Sequence, residues 1–139
     1  MGVYQETISV ETPRGIAFVN CTQLLEDVVE RARVRTGIAH VYVPATTAGL
    51  IVNEDESGVR SDIERMLEAI APAGHGWSHD ATQAEGNAHA HLRACITGQS
   101  VSIPIAEGRL AVGTWQSIML VEFDVRPRMR MLVVTIVGE

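Results

Sequence analysis

Three histidines that lie close together in the chain are the first candidates for chemistry. His79, His89 and His91 fall within thirteen positions, with Glu85 and Asn87 between them. Neutral imidazole is the commonest protein ligand for zinc and similar ions, and histidine also takes up and releases protons near neutral pH. The spacing matches no recognised zinc signature. The stretch therefore predicts a site at which two of the three histidines bind a metal ion or an anion.

The relative directions of His89 and His91 depend on the secondary structure between them. In a helix the two side chains would point about 160° apart and would not bind one ion, whereas in an extended segment they would share a face. The alternative interpretation is that one or two of the three histidines are surface or capping residues. His40 lies in a predicted buried strand and His75 in a predicted loop, and both are interpreted as structural.

A turn of small residues, Thr46-Thr47-Ala48-Gly49, is a second candidate. Hydroxyl groups and exposed backbone N–H groups in such a turn can hold phosphate oxygens, although the P-loop pattern G-x-x-x-x-G-K is absent. Glu54 follows a short predicted strand and can act as a base or bind a metal ion. The alternative for Glu54, which composition alone favours, is a solvated acid beside the first turn of a helix.

The run Gly113-Thr114-Trp115-Gln116 is the third candidate. Thr114 and Gln116 can donate hydrogen bonds, and Trp115 can stack on a heteroaromatic ring. The alternative, favoured for Trp115 itself, is an indole buried in a sheet, which would leave Thr114 and Gln116 together on the opposite face. We hypothesise that the three clusters line one site.

The elements that must position these clusters follow from hydrophobic periodicity and from turn and capping residues. Helices are predicted from the Asn20 cap to Gly37, from a cap at Asp55 or Ser57 to Pro72, and over residues 87–96, with residues 71–86 as a polar loop. Strands are predicted at residues 4–10, 16–19, 38–43, 50–52, 101–105, 110–112, 118–123 and 131–137. This pattern predicts one compact α+β domain spanning residues 1–139, with a mostly antiparallel or mixed, sandwich-like β-sheet and about three helices.

Three packing arrangements are also predicted. Residues 4–10 and 16–19 flank a turn with proline and glycine and are expected to pair as a hairpin. Residues 38–43 are almost continuously apolar, which is typical of a strand covered on both faces. Arg126, Arg128 and Arg130 would share one strand face, either as a local basic patch or, as the favoured interpretation, on a solvated edge strand.

Composition limits the classes of partner. The 139-residue chain has a net charge of −6 and 46% hydrophobic residues, which is ordinary for a globular domain. The acidic balance argues against nucleic acid as a partner, and no apolar run approaches the roughly 18–20 residues of a membrane span. The N-terminus shows no secretory signal, and Cys21 and Cys95 form no paired motif, so we expect reduced thiols and a cytoplasmic location.

Several of these motifs, in this order, resemble one family, the YjbQ-like proteins, also called UPF0047. The resemblance spans nearly the whole chain. The matching segments are Pro44-x-Thr46-Thr47-Ala48-Gly49, Asn53-Glu54, Glu85-Gly86-Asn87-Ala88-His89-Ala90-His91-Leu92, Gly108-Arg109-Leu110, Gly113-Thr114-Trp115-Gln116 and Val137-Gly138-Glu139. The resemblance implies a compact α+β fold, a homotrimer with polar clefts near subunit contacts, and the activity of a secondary thiamine-phosphate synthase. That reaction joins hydroxymethylpyrimidine diphosphate to thiazole phosphate and releases pyrophosphate.

The resemblance also implies roles for individual residues, because a departing diphosphate needs positive charge or a metal ion. Glu54, His79 and His89 are expected to be catalytic. The three histidines, His79, His89 and His91, are expected to bind a divalent metal ion, either zinc or magnesium. The residues expected to bind a small phosphorylated metabolite are Thr46, Thr47, Asn87, Arg109, Thr114 and Gln116.

One position departs from the family pattern. The family has a histidine directly before the two threonines, and this chain has Ala45 there. If that histidine binds a metal ion or moves a proton, the activity of this chain is reduced or altered. Two alternatives therefore stay open. One is a metal-assisted hydrolase of a small phosphorylated metabolite, which would use the same histidines and Glu54, and the other is a non-catalytic trimer that binds a small anion.

Overall fold

The computed structural model describes all 139 residues, which form two β-sheets and four α-helices joined by turns and loops. The strands are β1 (Gly2–Thr12), β2 (Ala17–Asn20), β3 (Gly37–Tyr42), β4 (Ala48–Asn53), β5 (Ser100–Ala106), β6 (Arg109–Leu110), β7 (Ser117–Glu122) and β8 (Arg128–Gly138). The helices are α1 (Thr22–Ala32), α2 (Ser57–Ile70), α3 (Ser78–Thr82) and α4 (Ala88–Thr97). The predicted α+β class is confirmed. The short α3 is an additional helix, and it lies in the segment that was predicted as a polar loop.

The two sheets pack face to face. The larger sheet has the order β1-β8-β3-β5-β6 and the smaller has the order β2-β7-β4, with every neighbouring pair antiparallel. Side chains from both sheets form the main core, and on β8 these are Leu132, Val134 and Ile136, each 0% exposed. Because β8 lies between β1 and β3, the prediction that Arg128 and Arg130 belong to a solvated edge strand is wrong.

β1 and β2 do not form the predicted hairpin. β1 pairs with β8 over its whole length, and β2 pairs with β7 in the other sheet. The turn between them therefore carries the chain from one sheet to the other. Gly15 takes a φ of +81° in this turn, and its backbone N–H donates to the carbonyl of Asp124 at 2.8 Å. This hydrogen bond ties the turn to Asp124, which lies two residues beyond the end of β7.

The outer face of the five-stranded sheet is open to solvent. Within β3, Ala39 and Val41 are 0% exposed, but Ile38 is 54% and Tyr42 is 43% exposed, so the prediction that both faces are covered is wrong for the single chain. Strand register places Ile38 and Val137 side by side on this face. The large apolar side chains of the outer face are Val3, Ile38, Tyr42, Met129, Met131 and Val137.

Helix α1 contributes its apolar stripe to the core and ends earlier than predicted. Arg33 takes a left-handed conformation with a φ of 57° directly after Ala32, which stops the helix four residues before Gly37. Gly37 begins β3 instead, at a point where the backbones come very close. A Cβ atom at Gly37 would lie 2.1 Å from the carbonyl oxygen of Val137, so this position of the sheet requires glycine.

Helix α4 packs on β4 through small side chains. Ala90 is 0% exposed, and Gly49 of β4 lies beneath the end of the helix. A Cβ atom at Gly49 would lie 1.9 Å from Thr97 Oγ1 and 2.7 Å from the carbonyl oxygen of Gly98. The missing side chain at Gly49 therefore lets α4 approach the sheet and fixes the position of the helix that carries His91.

Helix α2 leaves much of its apolar stripe exposed. Leu67 is buried, whereas Met66 is 49% and Ile70 is 57% exposed. Its N-cap is Glu56, whose carboxylate accepts a hydrogen bond from the backbone N–H of Val59, rather than Asp55 or Ser57 as predicted. None of the helices combines the length and the apolar composition that crossing a bilayer requires.

The two cysteines differ in their access to solvent. Cys21, at the start of α1, is 0% exposed, and burial raises the pKa of its thiol. Cys95 lies on the exposed side of α4. Both thiols are free, which agrees with the absence of a paired motif in the sequence.

Candidate functional site

One end of the sandwich holds a polar cavity of about 540 Å³. Three parts of the chain meet there, namely the crossing from β3 to β4, the segment containing α3 and the start of α4, and the turn from β7 to β8. Five residues that were predicted for the site line this cavity, and they are Thr46, Thr47, His79, Asn87 and His91. The structure therefore brings together the first two of the three sequence clusters.

Four charged residues that were not assigned to the site from the sequence lie in or behind the cavity. Asp124, Arg128 and Arg130 line it, and Glu122 is hydrogen-bonded behind it. Glu122 and Asp124 are 0% exposed and Arg130 is 9% exposed. Their burial depends on the pairing of β8 with both β1 and β3, for which the sequence around them carries no local signal.

The two histidines of the cavity come from different helices. His79 lies on α3 and His91 on α4, and their ring centroids are 4.5 Å apart with an angle of 65° between the ring planes. His89 lies two residues before His91 on the same helix, so the two side chains diverge, and His89 does not line the cavity. Of the three histidines predicted to bind a metal ion, the structure brings two together.

His89 has an environment of its own. Its Nδ1 atom is buried and has no hydrogen-bond partner. Burial, and after it the positive charge of Arg93, lowers the pKa of His89. The neutral imidazole is therefore the form that the folded chain favours at this position. If His89 has the predicted catalytic role, it acts outside this cavity.

Asn87 fixes the orientation of His79. The side-chain amide nitrogen of Asn87 donates to Asp124 Oδ1 and to Glu85 Oε2, each at 3.2 Å, so both of its protons are used. Its carbonyl oxygen consequently faces His79 Nε2, at 3.2 Å. Because that oxygen can only accept a hydrogen bond, Nε2 of His79 must carry the proton. The lone pair on Nδ1 of His79 is then left to accept a proton or to bind a ligand.

Asp124 is a permanently charged support for this arrangement. Its carboxylate accepts hydrogen bonds from Asn87, from Thr47 at 3.0 Å, and from Arg128 at 2.6 and 2.9 Å. Burial alone raises the pKa of Asp124, but the backbone N–H of Val125 and these three side chains outweigh it and lower the pKa to about 2. Asp124 therefore orients its neighbours and does not exchange protons near neutral pH.

A second buried ion pair lies behind Asp124. Arg130 donates to Glu122 through Nε at 2.7 Å and through Nη2 at 2.5 Å, and Thr12 also donates to this carboxylate. Nη2 of Arg130 donates in addition to Thr47 Oγ1 at 2.7 Å, and Thr47 in turn donates to Asp124. A continuous chain of hydrogen bonds thus runs from Glu122 to His79 through Arg130, Thr47, Asp124 and Asn87.

The charges around the cavity are nearly balanced. Glu85, whose side chain is 45% exposed, pairs with Arg126 at 2.7 Å and lies 3.8 Å from Arg128. Arg128 and Arg130 are also paired with the buried carboxylates of Asp124 and Glu122. An incoming anion that displaced the partly exposed side chain of Glu85 would gain two guanidinium groups without disturbing the buried pairs.

The remaining predicted site residues lie elsewhere. Register pairs Asn53 with Ser117, so Glu54 and the Thr114–Gln116 segment lie together at the end of β4 and β7 that is opposite the cavity. The six residues of β7 separate the two groups by roughly 20 Å. Arg109 lies on β6 beside α1, in a different hollow. Within one chain, the hypothesis that three clusters line one site is therefore wrong for the third cluster.

Trp115 is not buried in a sheet as predicted, because it lies in the turn between β6 and β7 and is 74% exposed. The turn is closed by two hydrogen bonds. The backbone N–H of Gly113 donates to Gln116 Oε1 at 2.8 Å, and the backbone N–H of Gln116 donates to the carbonyl of Gly113 at 3.0 Å. Gln116 therefore uses its amide oxygen to hold the turn.

The predicted zinc or magnesium ion has an incomplete set of ligands in a single chain. No group of three or more His, Cys, Asp or Glu side chains is arranged to hold a metal ion. His79 and His91 alone supply two nitrogen ligands, whereas a catalytic zinc site uses three protein ligands and magnesium prefers oxygen. The metal ion stays a prediction, and no chemical step is assigned to it.

The two antiparallel sheets pack face to face, and a polar cavity that contains two histidines lies at one end. The protein is therefore a small α+β sandwich with a solvent-accessible cavity. The family model described as "UPF0047 protein YjbQ-like" matches residues 6–139. The chain therefore belongs to the YjbQ-like UPF0047 family.

Relatives match along almost their entire length. A UPF0047 protein of Archaeoglobus fulgidus is 39% identical over 127 residues, which are 91% of this chain and 96% of the relative. A UPF0047 protein of Methanothermobacter thermautotrophicus is 36% identical over 139 residues, which are 100% of this chain and 95% of the relative. The crystal structure of a protein of unknown function from Sulfolobus solfataricus superposes with a TM-score of 0.93 at 36% identity, covering 99% of both chains.

Proposed function

We propose that the cavity binds a small phosphorylated metabolite and that the protein is a transferase of the thiamine-phosphate synthase type. The observation that carries the proposal is the His79–His91 pair, held by Asn87 in a polar cavity with paired arginines at its rim. Hydroxyl, amide, imidazole and guanidinium groups are the donors that recognise phosphate oxygens. The wall of the cavity supplies all four.

In this reaction the bond between the pyrimidine methylene carbon and the diphosphate oxygen breaks, and the nitrogen of thiazole phosphate forms the new bond to that carbon. The electron pair of the broken bond leaves with pyrophosphate. Arg126 and Arg128, released from Glu85, would neutralise the charge that develops on the leaving group. His91 would donate a hydrogen bond to the same oxygens, and His79 would do so from Nδ1 only when its imidazole is protonated, because its Nε2 proton is held by Asn87. Asn87 and Asp124 would keep His79 in place.

We also propose that the chain works as a homotrimer. The support is the open outer face of the five-stranded sheet, since monomeric proteins rarely expose a contiguous apolar surface of several large side chains. Tyr42 belongs both to that face and to the wall of the cavity, so a neighbouring copy on the face would lie close to the site.

A second candidate function is the hydrolysis of a small phosphorylated metabolite. The observation that favours it is the free Nδ1 of His79 in a cavity that solvent can enter, because such a nitrogen can take a proton from an attacking water molecule. The two functions differ in their products. Hydrolysis releases phosphate from one precursor alone, whereas the transferase needs both precursors.

The first experiment mixes the purified protein with hydroxymethylpyrimidine diphosphate and thiazole phosphate and measures thiamine phosphate, with and without zinc or magnesium. Ala45 lines the cavity, so an Ala45→His variant is assayed beside it to supply the histidine of the family pattern. We expect product from the natural chain and more product from the variant. Phosphate released from a single precursor would favour the hydrolase, and binding without any product would leave only a small-anion-binding protein.

A further inference from the structure

The histidine pair of the polar cavity also borders a second, smaller hollow. This side hollow has a volume of about 390 Å³. Its lining residues come from α3, from α4 and from the position before α3, and they are Trp77, Ser78, His79, Ala88, His91 and Leu92. His79 and His91 belong to the walls of both spaces. A bound molecule that touches the two imidazole rings can therefore extend into the polar cavity on one side and into the side hollow on the other.

The two spaces differ in chemistry. Arg128 and Arg130 line the polar cavity, whereas the side hollow has no charged side chain in its wall apart from the two histidines. Half of its lining residues, Trp77, Ala88 and Leu92, present apolar surface. A charged group is more stable in the polar cavity, where it finds partners, and an apolar group is more stable in the side hollow.

The indole of Trp77 is a fixed wall of the side hollow. Its Nε1 atom donates a hydrogen bond to the carbonyl of Pro72 at 2.8 Å. The ring of His75 packs against it, with 5.2 Å between the ring centroids and an angle of 52° between the planes. The indole is thus held at two points before any ligand binds. An aromatic surface that is already ordered loses little conformational freedom when a second ring packs on it.

Helix α4 supplies the facing wall. Ala88 and Leu92 are four residues apart and therefore lie on the same face of the helix, one turn from each other. The backbone N–H of Ala88 donates to Asp80 Oδ1 at 2.9 Å, which ties the start of α4 to α3 and sets the separation of the two helices. Because Ala88 contributes only a methyl group, the space between Trp77 and Leu92 stays open.

We propose that the side hollow is a subsite for a flat apolar ring and that the ligand of the site is a phosphate ester carrying such a ring. The phosphate lies in the polar cavity, the ring lies against Trp77 and Leu92, and the histidine pair lies between them. The inference rests on the proposed function in taking the polar cavity as the phosphate site. It narrows the ligand from phosphorylated metabolites in general to aromatic phosphate esters, rather than sugar phosphates or inorganic phosphate.

Two phosphate esters of equal charge test the subsite. Benzyl phosphate carries a ring and methyl phosphate does not, and isothermal titration calorimetry measures both. We expect the natural protein to bind benzyl phosphate about tenfold more tightly, because the ring leaves water and packs on an indole. Trp77→Ala should remove most of this preference and leave the affinity for methyl phosphate unchanged.

Leu92→Asn is the second variant, since it keeps the size of the side chain, removes its apolar surface and leaves the indole in place. It should also weaken the preference for benzyl phosphate. Trp115→Ala, which removes the other tryptophan, is the control and should keep the preference in full. Equal affinities for the two esters in the natural protein would overturn the subsite. So would a tenfold preference that survives in folded Trp77→Ala and Leu92→Asn proteins.

Benzyl alcohol, which has the ring and no phosphate, tests the side hollow independently of the proposed function. The chain has two tryptophans, and a Trp115→Phe variant assigns their two indole N–H signals in a ¹H–¹⁵N spectrum. We expect benzyl alcohol to shift the signal of Trp77 and to leave that of Trp115 in place. If this shift occurs in a protein that binds neither ester, the proposed function fails and the subsite stands. A Trp77 signal that stays unmoved with both benzyl compounds would overturn the subsite, even where methyl phosphate binds.

Discussion

At the scale of single residues, the candidate site depends on which histidine of α4 faces the cavity. His91 approaches His79 with 4.5 Å between the ring centroids, whereas His89 lies outside the cavity with a buried, unpartnered nitrogen. The two residues have the same side chain on the same helix and differ only in direction. They therefore form a matched pair of test positions.

We expect His91→Ala to weaken pyrophosphate binding about tenfold or more, which is the effect of losing one hydrogen bond to a charged group. His89→Ala is the control and should leave the affinity within error of the natural value. Isothermal titration calorimetry measures both. Equal losses in the two variants, with unchanged circular dichroism, would contradict the assignment of His91 to the site.

The neutral state of His89 makes the fold sensitive to acid. Burial and then the charge of Arg93 lower the pKa of His89, so the unfolded chain takes up this proton before the folded chain does. Stability is therefore complete above the ordinary histidine pKa of about 6.5 and falls as the pH drops from there toward the lowered value. A His89→Gln variant should lose less stability between pH 7.5 and pH 5 than the natural protein in urea unfolding. An identical decline in both proteins would remove His89 as the cause.

At the scale of elements, the junction of β7 and β8 is the support of the cavity. Glu122 and Arg130 face each other from the two strands, and Thr47 links their pair to Asp124. Burying such a pair costs desolvation energy that only complete hydrogen bonding offsets. Both carboxylate oxygens of Glu122 are used, so the pair can be kept inside the protein.

Removing one member of this pair should cost far more than removing both. We expect Glu122→Leu to lower the free energy of unfolding by about 3 kcal/mol or more, because Arg130 is left charged and unpaired in the interior. The double variant Glu122→Leu with Arg130→Leu should recover much of this loss. Guanidinium denaturation at pH 7 measures the three proteins. A double variant that is no more stable than the single variant would contradict this, because it would show that Arg130 is sufficiently paired by Thr47 without Glu122.

The elements themselves were largely predictable, but their pairing was not. The periodic spacing of apolar residues predicted α1, α2, α4 and most strands, because this signal depends only on residues that are close in the sequence. The hairpin of β1 with β2 was wrong because a turn sequence specifies a change of direction and not the partner strand. Glu122 and Asp124 were missed for the same reason. Nothing near them in the sequence shows that β8 will be paired on both sides.

At the scale of the whole molecule, the outer face of the five-stranded sheet is the surface that we propose as the contact between copies of the chain. Ile38 and Val137 lie side by side near its middle strands, and both are exposed. The same sandwich also has exposed apolar residues on α2, such as Met66 at 49% exposure. The proposed contact between copies does not include α2, so the two surfaces make opposite predictions.

We expect Ile38→Glu to convert the proposed trimer to monomers, because a carboxylate on the outer face would lose its water of hydration in the contact. Met66→Glu carries the same charge on α2 and should leave the assembly intact. Sedimentation velocity over a range of concentrations measures the state of each. A trimer that survives Ile38→Glu would place the contact on another surface.

Because the two cysteines differ in exposure, thiol labelling of this chain can measure how often the sandwich opens. A thiol reagent reacts with Cys95 at once on the native surface. It reacts with Cys21 only when the core opens, because that thiol is 0% exposed and burial raises its pKa. The slow second phase of labelling therefore measures how often the sandwich opens around the start of α1. A ligand that binds the closed form would slow that phase and leave the first unchanged, so binding can be followed by the timing of one thiol before any reaction product is known.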